Sequence, residues 1–255
     1  MRDVENKLKR NLYQGKTCFG TWIASGSPSA TDILKNLSFD WFVIDSEHSA
    51  IGAETISHMM QVVGGSNIVP LVRVGLNDQY LIKLALDAGA YGVVVPLVNS
   101  KADAERAVSF AMYPPRGIRG AAGTRASRYG LDSKEYLRTA NAEVMVIAQV
   151  ETTNALNNID EILSVEGIDV AFVGPSDLTM SLGLIDDRSN VRVTEAMNNV
   201  VKSCQNRGKI PGVMASSTDE VKNALERGFR FISLASDVRF LMQGARAFLN
   251  AAGRG

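Results

Sequence analysis

Residues 78–112 read DQYLIKLALDAGAYGVVVPLVNSKADAERAVSFAM. The first part, DQYLIKLALDAGA, spaces its apolar side chains at helical intervals and runs into Gly89, where a left-handed cap would stop a helix. The middle, YGVVVPLV, is a nearly continuous apolar, β-branched run of strand length. Such a run suits a parallel strand buried on both faces. The last part, KADAERAVSFAM, returns to helical spacing. One helix–strand–helix unit is thus legible in a single glance.

The same alternation extends in both directions. Strand-like runs cover 18–24, 41–47, 69–74, 92–98, 144–150, 170–174, 211–215 and 229–235. Helical patterns cover 31–37, 53–63, 78–90, 101–112, 133–141, 153–165, 191–208, 217–228 and 238–249. Eight β–α units in 255 residues predict an α/β fold, a closed (β/α)8 TIM barrel. An open doubly wound sheet is the alternative, but no G-x-G-x-x-G follows the first strand, and no nucleotide cofactor is expected. One barrel domain spans 1–255, with the C-terminal helix at about 237–252 expected to be available for packing on a neighbouring subunit. The interval 112–133 is the one long irregular piece. It carries Arg116, Arg119, Arg125 and Arg128, for a distal carboxylate of a substrate or for a neighbouring subunit.

Lys+Arg and Asp+Glu both number 27, so the formal charge is zero. That argues against a nucleic-acid or membrane-surface partner. No apolar run approaches the ~20 residues of a membrane helix. The N-terminus, MRDVENKLKR, has no apolar core of a signal peptide. Cys18 and Cys204 lie far apart and read as buried free thiols of a reducing compartment, so a cytoplasmic location is expected.

Chemistry in such barrels sits at the C-terminal ends of the strands. Those ends carry Trp22, then Asp45, Glu47 and His48, then Arg73, Gln149 and Glu151, and the turn GPSDL with Asp177. Glu151 and Asp177 follow successive strands, ~4.8 Å apart, so both can meet one hard cation. The other reading is that each caps the helix that follows it. Spacing alone does not separate the two. Lysine is absent from the predicted strand ends; Lys16 and Lys209 precede strands. A Schiff-base lysine is therefore not expected, and carbonyl chemistry here would need a metal as electron sink. His48 is the natural acid–base candidate, against a hydrogen-bonded loop histidine. His58 lies within a helical pattern.

Taken in order, FDWFVIDSEHS, PLVRV, KLALDAGAYGVVVPLV, YPPRGIRG, RASRY, QVET and GPSDL resemble the HpcH/HpaI family of metal-dependent pyruvate aldolases. The likeness runs from about residue 20 to residue 235. It implies a barrel of the phosphoenolpyruvate/pyruvate superfamily and 4-hydroxy-2-oxoheptane-1,7-dioate aldolase-like activity, an activity of aromatic compound catabolism. It implies one divalent ion (Mg2+, Mn2+ or Co2+) held by Glu151 and Asp177. Gln149 and the turn at Gly174 and Ser176 would contact pyruvate, and Trp22 would shape the aldehyde side. Arg73 would stabilise enolate charge, His48 would act as acid–base, and Asp87 would raise its basicity. A homo-oligomer, a hexamer or trimer of dimers, is also implied. Ser46 departs from the family's usual Gly and Ser176 from a frequent Ala, which bears on substrate preference more than on reaction class. Asp87 sits about ten residues along its helix, ~15 Å from the active rim. It is therefore expected to reach His48 of a neighbouring subunit, or else to be a solvated helix-end acid. Related readings are a CoA-ester lyase of the citrate lyase β-subunit or malyl-CoA type, an oxaloacetate decarboxylase, and a non-catalytic metabolite-binding barrel.

Overall fold

All eight β-branched runs form strands. The computed structural model describes residues 5–185 and 187–254. Its strands are β1 (Cys18–Ile23), β2 (Trp41–Asp45), β3 (Val69–Arg73), β4 (Gly92–Val95), β5 (Met145–Val150), β6 (Ile168–Val173), β7 (Ile210–Ala215) and β8 (Phe231–Ser236). Each runs parallel to the next, and β8 pairs with β1, which closes the barrel. Helical segments lie between successive strands, as the (β/α)8 expectation requires.

Period two divides the strand residues between two cores. Trp22, Trp41, Val43, Val69, Leu71, Val94, Met145, Ile147, Val170, Phe172 and Phe231 pack together inside the barrel. Residues of the other parity, such as Ile23, Phe42, Ile44, Val72, Val93, Val146 and Val213, pack against the helices. Inside, Trp41 stacks on Phe231 with centroids 4.0 Å apart. Gly20 makes room for that indole: a Cβ there would stand 2.0 Å from a Trp41 ring carbon. The inward series ends at the top with Asp45, Arg73 and Gln149, so strand parity alone delivers polar groups to the mouth.

Several boundaries differ from expectation. Strand β4 stops at Val95 rather than residue 98. Pro96 has no N–H for the ladder, and Leu97 turns left-handed at φ 52°. The helical stretch 153–165 is two short helices, Thr153–Asn157 and Ile159–Leu163, meeting at Asn158. A helix at Lys7–Tyr13 has no counterpart among the expected segments. Only Leu8 and Leu12 are apolar and buried there, too few for a periodic signal. Both join the interior cluster and plug the base of the barrel.

The interval 112–133 is irregular as expected: its one short 3-10 stretch, Arg125–Gly130, is broken by left-handed backbone at Arg128 (φ 52°) and Tyr129 (φ 56°). Its four arginines are all engaged within the chain. Arg119 is buried against the rings of Tyr113 and Tyr136, and its Nη2 donates to Asp87 at 2.7 Å. Arg116 pairs with Glu166, Arg128 with Asp132, and Arg125 donates to the Met60 carbonyl.

Both cysteines are free and buried, Cys18 in the interior core and Cys204 in the outer one. Burial is the main cause that pushes each thiol up to about 12. The C-terminal helix, Asp237–Ala251, departs from ordinary barrel packing. Only Asp237 is buried, while Leu241, Met242, Phe248 and Leu249 are exposed, Phe248 by 82%. Among the described residues no helix is long and apolar enough to cross a membrane.

Candidate active site

Arg73 ends β3, buried under the mouth. Its Nε donates to Asp45 Oδ1 at 2.9 Å and its Nη2 to Oδ2 at 2.6 Å, a two-pronged grip from the neighbouring strand. Its Nη1 lies 3.0 Å from Glu47 Oε2, and its Cζ stands 4.4 Å from the Trp22 ring centroid. Asp45 Oδ1 also accepts from the backbone N–H of Glu47 and His48. Ser46 closes the turn by donating through N and Oγ to the Arg73 carbonyl. The guanidinium is thus fixed on several sides.

These contacts split two adjacent acids. Burial pushes the Asp45 carboxyl up, but the Arg73 bonds and charge, with the two backbone N–H groups, outweigh it and hold Asp45 low. Burial also dominates at Glu47, and there Arg73 and His48 do not cancel it. Glu151 and Asp45 push the same way, so Glu47 lies above the usual glutamate range.

Glu151 follows β5 and is buried. Its Oε1 accepts from Leu97 N–H at 2.9 Å, which is where the left-handed turn after β4 aims that amide. Its Oε2 accepts from Gln149 Nε2. The Gln149 Oε1 is buried and has no partner among the described residues. Asp177 is exposed in the first turn of the helix Pro175–Ser181. Neither acid acts as the helix cap. Thr152 caps the helix after β5, and Gly174 stands at the cap after β6 with no side chain to contribute. The capping alternative for the pair is therefore removed.

Gly174 leaves a gap between these groups. A Cβ on it would meet Asp177 Oδ2 at 3.4 Å, Gln149 Nε2 at 3.6 Å and Glu151 Cβ at 3.7 Å. Asp45, Glu47, Glu151 and Asp177 surround the mouth with Arg73 as their buried cation, so negative charge is in excess. Oxygen donors, surplus negative charge and a vacated Cβ position suit a hard divalent cation. Among the described residues no three His, Cys, Asp or Glu side chains converge on one point as a complete cage. A two-carboxylate site leaves other coordination positions for water and substrate.

His48 is 66% exposed, with Nε2 3.9 Å from Glu47 Oε2. Trp22 is buried against Phe172, and its Nε1 has no partner among the described residues. Ser176 Oγ accepts from Arg188, a contact with no sequence signal because Arg188 lies in a loop. Asp87 is held by Arg119 rather than by His48 of its own chain. Lys209 donates to the Ile168 carbonyl at the start of β6, at the opposite rim from the acids.

Residues 18–244 match the family described as HpcH/HpaI aldolase/citrate lyase. The chain belongs to the HpcH/HpaI family. It is accordingly an aldolase, a carbon–carbon lyase. A hydroxypyruvate/pyruvate aldolase of Paraburkholderia phytofirmans is 34% identical, covering 98% of both chains. A 2-dehydro-3,6-dideoxy-6-sulfogluconate aldolase of Pseudomonas putida is 38% identical, covering 91% of both. A crystal structure of an HpcH/HpaI aldolase/citrate lyase family protein from Burkholderia cenocepacia superposes with TM-score 0.93. It is 34% identical and covers 97% of this chain and 99% of its own.

Proposed function

We propose that this chain is a divalent-metal-dependent aldolase that reversibly cleaves a 4-hydroxy-2-oxo acid into pyruvate and an aldehyde. The gap at Gly174, bordered by Asp177, Gln149 and Glu151, carries the reading. The names of the aldolase relatives support the pyruvate half. Glu151 and Asp177 would hold the ion, and Mg2+, Mn2+ and Co2+ all suit such oxygen donors. When bound, the ion supplies Lewis-acid charge that stabilises an enolate.

The chain's own groups do the rest. Arg73, immobilised by Asp45, presents fixed positive charge beside the 2-oxo group without reorganising. The Ser176 backbone and the Gln149 amide hold the pyruvate carboxylate. His48 takes the proton of the 4-hydroxyl. The C3–C4 bond then breaks, its electron pair passes to the pyruvate fragment as the enolate, and the aldehyde leaves. Return of one proton to C3 completes pyruvate. Trp22, Met214 and Leu234 border the aldehyde side.

The active form is a homo-oligomer in this reading. Asp87 of one protomer orients His48 of the next, because its helix carries it away from its own mouth. The exposed apolar side chains of the C-terminal helix support such a contact. The free buried thiols suit a reducing cytoplasm.

Pyruvate release from a panel of 4-hydroxy-2-oxo acids and malyl-CoA, with and without added metal, tests the reading. Glu151→Ala and Asp177→Ala should abolish turnover, as should a chelator. Full activity in excess chelator would overturn the metal role, and cleavage of malyl-CoA alone would overturn the substrate class.

A further inference from the structure

Arg119 has no part in the mechanism above, yet the fold goes to some length to bury it. Gly117 lets the chain fold back onto the end of the helix Lys101–Ala111. A Cβ there would stand 2.3 Å from the Ser109 carbonyl oxygen and 2.4 Å from that of Met112. Ile118 N–H then donates to Ser109 and Arg119 N–H to Met112. Arg119 becomes the most deeply buried arginine among the described residues, with no side-chain exposure. Taking a guanidinium out of water is costly unless partners replace the water. Tyr113 and Tyr136 lie 4.6 Å and 5.7 Å from its Cζ, edge to face with each other, and Tyr136 Oη accepts from Nη1 at 3.2 Å. Nε has no partner among the described residues. An apolar side chain would fill this aromatic box at less cost. It would not, however, hold Asp87.

Asp87 is the last residue of the helix Gln79–Asp87, where the helix dipole disfavours a negative charge. Its side chain is 20% exposed, and its Oδ1 accepts from Arg119 Nη2 at 2.7 Å. No other hydrogen bond reaches that carboxylate among the described residues. One oxygen is therefore clamped from inside and the other is left open at the surface. The clamp needs the planar fork of arginine, since Nη1 and Nη2 serve Tyr136 and Asp87 in different directions.

We propose that Arg119 is a positioning residue for proton transfer in the neighbouring protomer: by fixing Asp87 Oδ1 from its aromatic box, it turns Oδ2 toward that protomer's His48. The proposal rests on the reading above, in which Asp87 of one protomer orients His48 of the next. It adds a third member to that pair, drawn from the arginine-rich interval 112–133, and gives the buried cation a task that its own packing does not.

The test compares two pyruvate-forming reactions of the full chain. Cleavage, measured on the most rapidly cleaved 4-hydroxy-2-oxo acid of the panel above, requires removal of the 4-hydroxyl proton. Decarboxylation of oxaloacetate also breaks a C3–C4 bond and passes its electron pair to the same enolate, but CO2 leaves and there is no such proton. Arg119→Met fills the box without a charge. It should lower kcat for cleavage about tenfold or more and leave decarboxylation within about twofold. Arg119→Lys restores the cation without the fork and should recover part of the loss. In an Asp87→Asn background Arg119→Met should cost nothing further, because the two residues act as one unit. Circular dichroism and light-scattering mass check fold and assembly. If Arg119→Met fails either check, Tyr136→Phe, which removes only the Nη1 acceptor, takes its place, and a smaller loss confined to cleavage is expected. Equal loss of both reactions, a full additional loss in the Asp87→Asn background, or undiminished cleavage in the folded variant would overturn the role of Arg119. Undiminished cleavage in Asp87→Asn itself would overturn the Asp87–His48 pairing. Absence of cleavage across the whole panel would overturn the aldolase reading.

Discussion

Arg73 shows how one side chain can be useful because it is already saturated. Asp45 takes two of its N–H groups, Glu47 Oε2 lies 3.0 Å from its Nη1 as an ion pair, and Trp22 lies against it. Lysine keeps the charge but lacks the planar fork, so Arg73→Lys should lower kcat by roughly a hundredfold through lost fixed positioning. Steady-state kinetics with a melting curve on the same sample check this. The two acids beside it make opposite predictions about stability. Asp45 is held below its ordinary 3.8, so its contribution is present above that pH and lost as pH falls through the folded value. Glu47 is pushed above its ordinary 4.5, so its contribution is full below that pH and lost as pH rises through the folded value. Near pH ~7, Asp45→Asn should therefore lower Tm and Glu47→Gln should raise it. Both differences should shrink in acid. Melting curves from pH ~3 to ~8 read both. Equal shifts at every pH would sink the assignment.

At the scale of elements, the turn after β6 is built to be empty. Gly174 has φ −92°, which any residue adopts, so its missing side chain is not a backbone requirement. Gly174→Ala should fold with a stability change within about 0.5 kcal/mol. It should also weaken binding of the proposed ion, because the new methyl would stand between Asp177 and Glu151. Isothermal titration with Mn2+, compared with the melting curve, separates the two effects. Strands were readable because β-branched runs are long relative to noise. The upper end of β4 was not, because Leu97 leaves the ladder through a turn that donates to Glu151, a contact that exists only in three dimensions. The acids were readable as charges following buried runs. The Asp45–Arg73 grip was not, since it depends on which residues share a strand face and a register. The helix Lys7–Tyr13 was hidden by its charge. Leu12→Ala should nevertheless cost about 2–5 kcal/mol, because Leu12 is fully buried in the barrel base. Urea unfolding measures it.

For the whole molecule, the C-terminal helix is the least self-sufficient part. Leu241, Met242, Phe248 and Leu249 are exposed along a helix that ordinary barrels bury against their own strands. Phe248→Asp should shift light-scattering mass toward the monomer and reduce turnover, if Asp87 serves the next subunit's His48. A fully active monomer would sink that arrangement. The two cores also have a practical consequence. Each contains one thiol, Cys18 inside the barrel and Cys204 between barrel and helices, and both are raised to about 12. At neutral pH neither forms appreciable thiolate, and both are shielded by packing. Alkylating reagents should therefore mark each shell only when it opens. The protein carries two native reporters of its own breathing, and mass spectrometry of alkylated peptides would reveal whether the inner and outer shells come apart together.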